Sequence, residues 1–239
     1  MFTVALIGSD GAGKTTIGRR LERESPHAIK YLYMGVNLEA SNLVLPTTRL
    51  LLEVKRAMGK RPDMSGPPDP TQKKPRPKGI VRRAASALKA ILRLVNRLGE
   101  EWFRQIVAWS YLRRGYVVLF DRHFFSDYYA HDIAGQDPGR PLTSRVHGFV
   151  LDRLYPKPDL IILLDAPAEL LFARKGEGTP ALLERRRQEY LQLREKIEHF
   201  AVVDASQTED AVAQEVMALI EGFRQAQGHE QMGVRNARS

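Results

Sequence analysis

Residues 8–16 read Gly8-Ser9-Asp10-Gly11-Ala12-Gly13-Lys14-Thr15-Thr16, directly after the apolar run Phe2-Thr3-Val4-Ala5-Leu6-Ile7. From Gly8 to Thr15 the spacing is G-x-x-x-x-G-K-[ST]. Glycines at these positions let backbone N–H groups curl around phosphate oxygens. A helix opening near Lys14 turns its positive end toward the same anion. Lys14 is expected to reach the β- and γ-phosphates, and Thr15 to offer its hydroxyl to Mg²⁺. Gly8 through Thr16 is therefore the expected binding loop for ATP or GTP. The motif says nothing of the reaction that follows.

Outward from the loop, short apolar runs alternate with helical patterns. "IKYLYMG" (29–35), "YVVLFDR" (116–122), "PDLIILLDAP" (158–167) and "AVVDAS" (201–206) read as strands. "KTTIGRRLERE" reads as a helix with Ile17 and Leu21 on one face, and 46–58, 80–98, 180–200 and 209–226 follow as helices. A further helix through "EEWFRQIVAWSYLRRG" is expected to stop at Gly115. This alternation predicts an α/β fold: a parallel sheet of about five strands with helices on both faces and ligands at the strands' carboxyl ends.

The chain has 239 residues, of which 43% are apolar, enough for one large α/β domain. A single domain over 1–226 with a disordered tail at 227–239 is expected. The net charge is +9, and Lys55 to Arg83 alone holds ten Lys/Arg against two Asp. The basicity thus belongs to one segment, and a nucleic-acid partner is not expected. Residues 59–79 carry six prolines and one large apolar residue, Met64, which predicts a mobile basic loop. In 80–98, Ile80, Ala84, Leu88, Ile91, Val95 and Leu98 share one helical face, and Arg82, Lys89, Arg93 and Arg97 lie on the other. For 59–98 three readings stand open: a solvated insertion, an electrostatic funnel, and weak contact with an acidic membrane surface. There is no cysteine, which excludes disulfides and thiolate chemistry. No apolar run reaches the ~18 residues of a membrane span. A cytoplasmic protein is expected.

Two strand ends carry chemistry. "VVLFDR" sets Asp121 and Arg122 at a strand tip, and "IILLDAP" sets Asp165 at another. A carboxylate there, beside a phosphate loop, can hold Mg²⁺. An arginine there can clamp a second phosphate bidentately.

"GSDGAGKTT", "VVLFDRHFFSDYYAH", "PDLIILLDAPAELLFARK", "RRRQEYLQL" and "VVDAS", in that order, resemble the thymidylate kinases. Asp10 inside the loop is the specific mark. The resemblance covers 1–33 and 115–222. It implies a P-loop fold and an ATP- and Mg²⁺-dependent kinase that phosphorylates dTMP or a related nucleoside monophosphate. It further implies that Asp10 faces the acceptor, that Arg122 holds the acceptor phosphate, and that Ser126 lines the pocket beside His123. Residues 174–187 would close as a lid carrying a catalytic arginine, with Arg174, Lys175, Arg185, Arg186 and Arg187 on offer. Arg174, Arg185 and Arg187 are taken as the catalytic candidates with Asp10, Lys14 and Arg122. Thr15, Asp121 and Asp165 are taken for the metal. A homodimer is a further implication.

The chain departs from that pattern at three places. The family's T-R-E-P-G-G after the second strand is "YLYMGVNLEA" here, its D-R-Y is Asp121-Arg122-His123, and residues 36–98 replace a shorter segment. That segment normally supplies a ring that stacks on the base and an arginine for its phosphate. Arg97 and Arg104, near Trp102 and Phe103, are the substitutes considered. Other acceptors follow from the replaced segment: a sugar, a glycan or a lipid-linked phosphate. A nucleotide-dependent membrane-docking module is the non-enzymatic alternative. His123 reads as a packed residue ahead of a general base, because a phosphate acceptor needs no base. Phe124, Phe125, Tyr128 and Tyr129 read mainly as core.

Overall fold

The computed structural model describes residues 1–35, 43–57, 79–134 and 140–236. The basic loop expected at 59–79 lies, but for Gly79, outside the described residues, as do residues 36–42 at the start of the segment opening at Val36. The elements in order are β1 (Thr3–Ile7), α1 (Lys14–Glu24), β2 (Ile29–Tyr33), α2 (Pro46–Ala57), α3 (Ile80–Arg113), β3 (Val117–Asp121) and α4 (Phe124–Tyr128). A π-turn (Tyr129–Ile133), α5 (Leu142–Arg153), β4 (Leu160–Asp165), α6 (Ala168–Lys175), α7 (Pro180–Leu191), a 3₁₀ turn (Gln192–Glu195), β5 (Phe200–Asp204) and α8 (Glu209–Asn236) complete the chain.

The five strands form one parallel sheet in the order β2-β3-β1-β4-β5. The fold is thus the expected α/β arrangement, with β1 at the centre. Alternating residues of a strand face opposite sides of a sheet. Val4 and Leu6 are buried, and so are Ala5 and Ile7; the same holds for Ile161 to Leu164 on β4. Both faces are therefore covered, as parallel sheets require. On one face Val4, Leu6, Leu119, Ile162 and Leu164 pack with Ile17 and Leu21 of α1 and Val212, Val216 and Ile220 of α8. The register pairs Leu6 with Asp121 and Asp165 with Asp204, so the carboxylates line one edge of the sheet.

Three elements differ from expectation. The two helices expected over 80–98 and 100–115 are one 34-residue helix. Gly99 does not stop it; the stop is Gly115 at φ 93°, whose N–H donates to Leu112 O while Tyr116 N–H donates to Tyr111 O. That is a left-handed glycine cap with its paired bonds. The helix expected over 180–200 ends at Leu191 and tightens into the 3₁₀ turn, which turns Leu193 fully inward before β5. The last helix, expected to end at 226, continues to Asn236. Among the described residues no helix is long and apolar enough to cross a membrane.

By contacts the chain divides into two compact units. One comprises Met1–Tyr33, Trp109–His123 and the chain from Pro158 onward; the other lies within 34–108 and 124–157. The first holds the sheet. In the second, Arg97, Glu101 and Arg104 of α3 meet α4, the π-turn and α5. Its centre is His147, fully buried, with Nδ1 2.5 Å from Asp132 Oδ2 and Nε2 2.8 Å from Glu101 Oε1.

Candidate active site

In the first unit the loop after β1 is shaped by close backbone approach. A Cβ on Gly8 would lie 2.5 Å from Leu164 O, and one on Gly11 2.5 Å from Leu171 O, and both residues have positive φ. Only glycine fits there. Gly13, also at positive φ, precedes α1, which starts at Lys14 with no side-chain cap on its first amides. Those amides are the anion-binding end of the helix. Lys14 is buried and its Nζ donates to Gly8 O and Ser9 O at 2.8 Å each, which ties the ammonium across the loop. Ser9 and Ala12 are buried; Thr15 and Thr16 are exposed at the mouth.

Asp121, at the end of β3, is fully buried. Thr15 Oγ1 donates to its Oδ2 at 2.5 Å, and Tyr31 OH donates to the same oxygen at 2.6 Å. Oδ1 has no hydrogen-bond partner among the described residues. Burial and then the Asp121 charge raise the Tyr31 pKa, so the phenol stays a donor. A hydroxyl and one carboxylate at a phosphate loop suit magnesium, which keeps waters and phosphate oxygens as its other ligands. No group of three or more acidic or histidine side chains fit to hold a metal occurs among the described residues, and magnesium at a nucleotide needs none.

Arg122 follows in the left-handed region at φ 69°, alone among the described non-glycine residues. Its N–H donates to Leu6 O, which fixes the turn. Strain of this kind costs about 1–2 kcal/mol and persists where the surroundings enforce it. The turn brings Arg122 Nη2 into a very short contact with Asp10 Oδ1. Lys175 Nζ lies 3.4 Å from the same oxygen, and Arg186 Nη1 lies 3.3 Å from Asp10 Oδ2. Burial pushes the Asp10 carboxyl up, but Arg122, Lys14 and Lys175 outweigh it and hold it well below the usual carboxylate range. Three cations on one carboxylate leave an excess of positive charge beside the phosphate loop.

The other arginines of 174–187 point elsewhere. Arg187 clasps Asp165 with two bonds of 2.6 and 2.9 Å, so Asp165 is engaged at its strand tip. Arg174 donates to Ala205 O at 2.7 Å, and Arg185 pairs with Glu189 on the exposed side of α7. Lys175 and Arg186 are thus the two residues of this stretch that meet Asp10. Tyr31 went unnoticed in the sequence. The only signal for it was a tyrosine inside a strand next to the one that ends in Asp121.

His123 is buried, packs against Phe120 at 5.3 Å, and its pKa falls to about 3 through burial. So weak a base fits the packing reading. The remaining candidates belong to the second unit. Arg97 lies over the Tyr128 ring at 5.0 Å and 3.9 Å from Asp132. Arg104 is buried and donates to Gly35 O at 2.6 Å. Ser126 is buried, and its Oγ has no hydrogen-bond partner among the described residues. Phe124, Phe125 and Tyr128 are core, as expected; Tyr129 is half-buried.

No protein-family model matches the chain. It is similar to a probable thymidylate kinase of Archaeoglobus fulgidus, 34% identical over 121 residues, which is 47% of this chain and 57% of that protein. It is also similar to a thymidylate kinase of Thermosipho africanus, 27% identical over 124 residues, 48% of this chain and 60% of that protein. The chain therefore spans well under two thirds of the relatives it matches.

Proposed function

We propose that the chain is an ATP-dependent kinase that moves the γ-phosphate of ATP to dTMP or a related nucleoside monophosphate, its two units working as one kinase domain. The observation that carries this reading is the gathering of Arg122, Lys175 and Arg186 on Asp10, at the edge of a phosphate loop. Phosphoryl transfer depends on alignment and charge neutralisation more than on covalent help. The three cations would pass from Asp10 to phosphoryl oxygens as substrates enter, and Asp10 keeps them in position until then. Lys14 and the amides of residues 11–15 hold the donor phosphates. Thr15 and Asp121 would hold magnesium, which would supply charge neutralisation at the donor phosphates. Asp165 serves through Arg187, fixing α7 so that Arg186 keeps its aim. Residues 174–187 act as the lid. Arg122 takes the acceptor phosphate, and Ser126, Arg97 and Arg104 of the second unit are further candidates for holding the acceptor. No general base is used, because the acceptor is itself a phosphate.

The two relatives named thymidylate kinase support the acceptor class. The test is ADP release from the purified protein with ATP, Mg²⁺ and a panel of dTMP, dUMP, UMP, CMP, AMP, GMP and several sugars. Turnover with dTMP or another pyrimidine monophosphate is expected. Turnover only with a sugar would overturn the acceptor. Silence across the panel with ATP still bound would overturn the kinase reading for nucleotides.

A further inference from the structure

We infer that the N-terminal half of α3 is a docking surface for a bilayer that carries anionic lipid. Ile80, Val81, Leu88, Ile91, Leu92 and Val95 are between 52% and 85% exposed. At 3.6 residues per turn they fall within an arc of about 120° and run for roughly 22 Å along the helix. This is a continuous aliphatic stripe, and an exposed stripe of that size marks an interaction surface. Arg83 flanks the arc on one side and Lys89 on the other, with Arg82 and Arg93 behind, all exposed. Between Ile80 and Leu98 there is no acidic residue.

The helix is held for presentation. Thr48 Oγ1 donates to Asn96 at 3.1 Å, and Leu45 N–H donates to the Glu100 carboxylate at 3.1 Å. Buried side chains begin at Glu101, so the preceding turns stand clear on a fixed base.

Charge selects the occupant. A second copy of this helix would bring its basic flanks against each other with no carboxylate between them. A nucleic acid would use the basic side and leave the aliphatic stripe in water. An anionic bilayer surface satisfies both: the stripe enters the interface, and Arg83 and Lys89 extend toward lipid phosphates while their stems cover apolar surface. Such binding is selective for anionic lipid and falls with salt.

The test is co-sedimentation of the full chain with vesicles of phosphatidylcholine alone, and of phosphatidylcholine with about a third phosphatidylglycerol to supply the anionic surface. Binding to the second and little to the first is expected, declining as salt rises. Arg83→Gln with Lys89→Gln should lower the partition about fivefold per charge on anionic vesicles only. The variant Leu88→Ser/Ile91→Ser/Val95→Ser should lower it by more than tenfold, with the melting midpoint unchanged because these side chains are exposed. Equal binding to both vesicles, or a serine variant that binds like the parent, would overturn the inference. So would a dimer that the serine variant splits without any vesicle binding, or RNA binding that the serine variant retains while vesicles are ignored.

Discussion

Arg186 Nη1 lies 3.3 Å from Asp10 Oδ2, across 176 positions of chain, and reaches it from the middle of α7. Arg185, one residue earlier and so about 100° around the helix, faces Glu189 instead. This rotation separates two arginines that look equivalent in sequence. Arg186→Ala is expected to lower kcat by about 10²-fold, the scale of losing one preorganised donor to a developing charge. Lys175→Ala should act in the same direction. Arg185→Ala should stay within about twofold, since an exposed i,i+4 pair contributes little. Steady-state ADP release with ATP binding measured in parallel checks this; equal losses at 185 and 186 would mean that the contacts of α7 change when substrates bind.

Tyr31 shares Asp121 Oδ2 with Thr15, and its position depends on a glycine. A Cβ on Gly18 would come 2.7 Å from two atoms of the Tyr31 ring. Tyr31→Phe removes a donor from a buried carboxylate and should cost about 1–3 kcal/mol of stability. It should also raise the magnesium needed for half-maximal activity about tenfold, as loss of an outer-shell partner does. Gly18→Ala should push the ring aside and give the same shift in magnesium dependence. A Tyr31→Phe enzyme with an unchanged magnesium titration would remove the tyrosine from the metal site.

The loop at Gly8–Thr15, the sheet and the strand-end aspartates were legible because each rests on local pattern: spacing, period and apolar runs. The gathering on Asp10 was legible only in part. Arg122 follows from its strand tip, but which of five cations in 174–187 turns inward depends on helix phase, and a shift of the α7 start by one residue would change the answer. The stop of α3 at Gly115 is legible from the sequence, but its continuity through Gly99 is not, because a glycine between two amphipathic patterns looks like a break. The link from His147 to Glu101 spans 46 positions, and no short-range signal announces it.

Gly148 lets α5 come close enough for that link. A Cβ there would lie 1.9 Å from Asp132 O, a backbone atom that cannot swing away. Gly148→Ala is expected to destabilise by about 3 kcal/mol, at the upper end of overpacking. Gly222→Ala, on α8 with open space around it, should instead gain up to about 1 kcal/mol from helix propensity. Denaturant midpoints of the two variants should therefore move in opposite directions; a neutral Gly148→Ala would mean that the π-turn yields without cost.

Two buried histidines should bend the stability profile in opposite senses. Burial lowers the His147 pKa, but its bonds to Asp132 and Glu101 outweigh that and raise it above the ordinary 6.5. Its contribution is complete below the unfolded value and is lost as pH rises through the folded one. His123 is lowered to about 3 by burial, so its contribution is complete above 6.5 and is lost as pH falls toward 3. Asp132 adds to the acid side: burial raises it, yet His131 and His147 hold it below 3.8, and its contribution fades as pH drops below that value. Tyr128 faces the His147 ring edge-on at 4.9 Å and stays neutral, its pKa pushed up to about 12 by burial. Stability should therefore peak near pH 6.5 and fall on both sides. His147→Asn should flatten the alkaline limb and also weaken the part of the acid limb below 3.8 that Asp132 owes to this histidine, whereas His123→Phe should flatten the slope just below the peak. Denaturant midpoints across pH measure both slopes, and an alkaline limb that survives His147→Asn would assign that loss to another group.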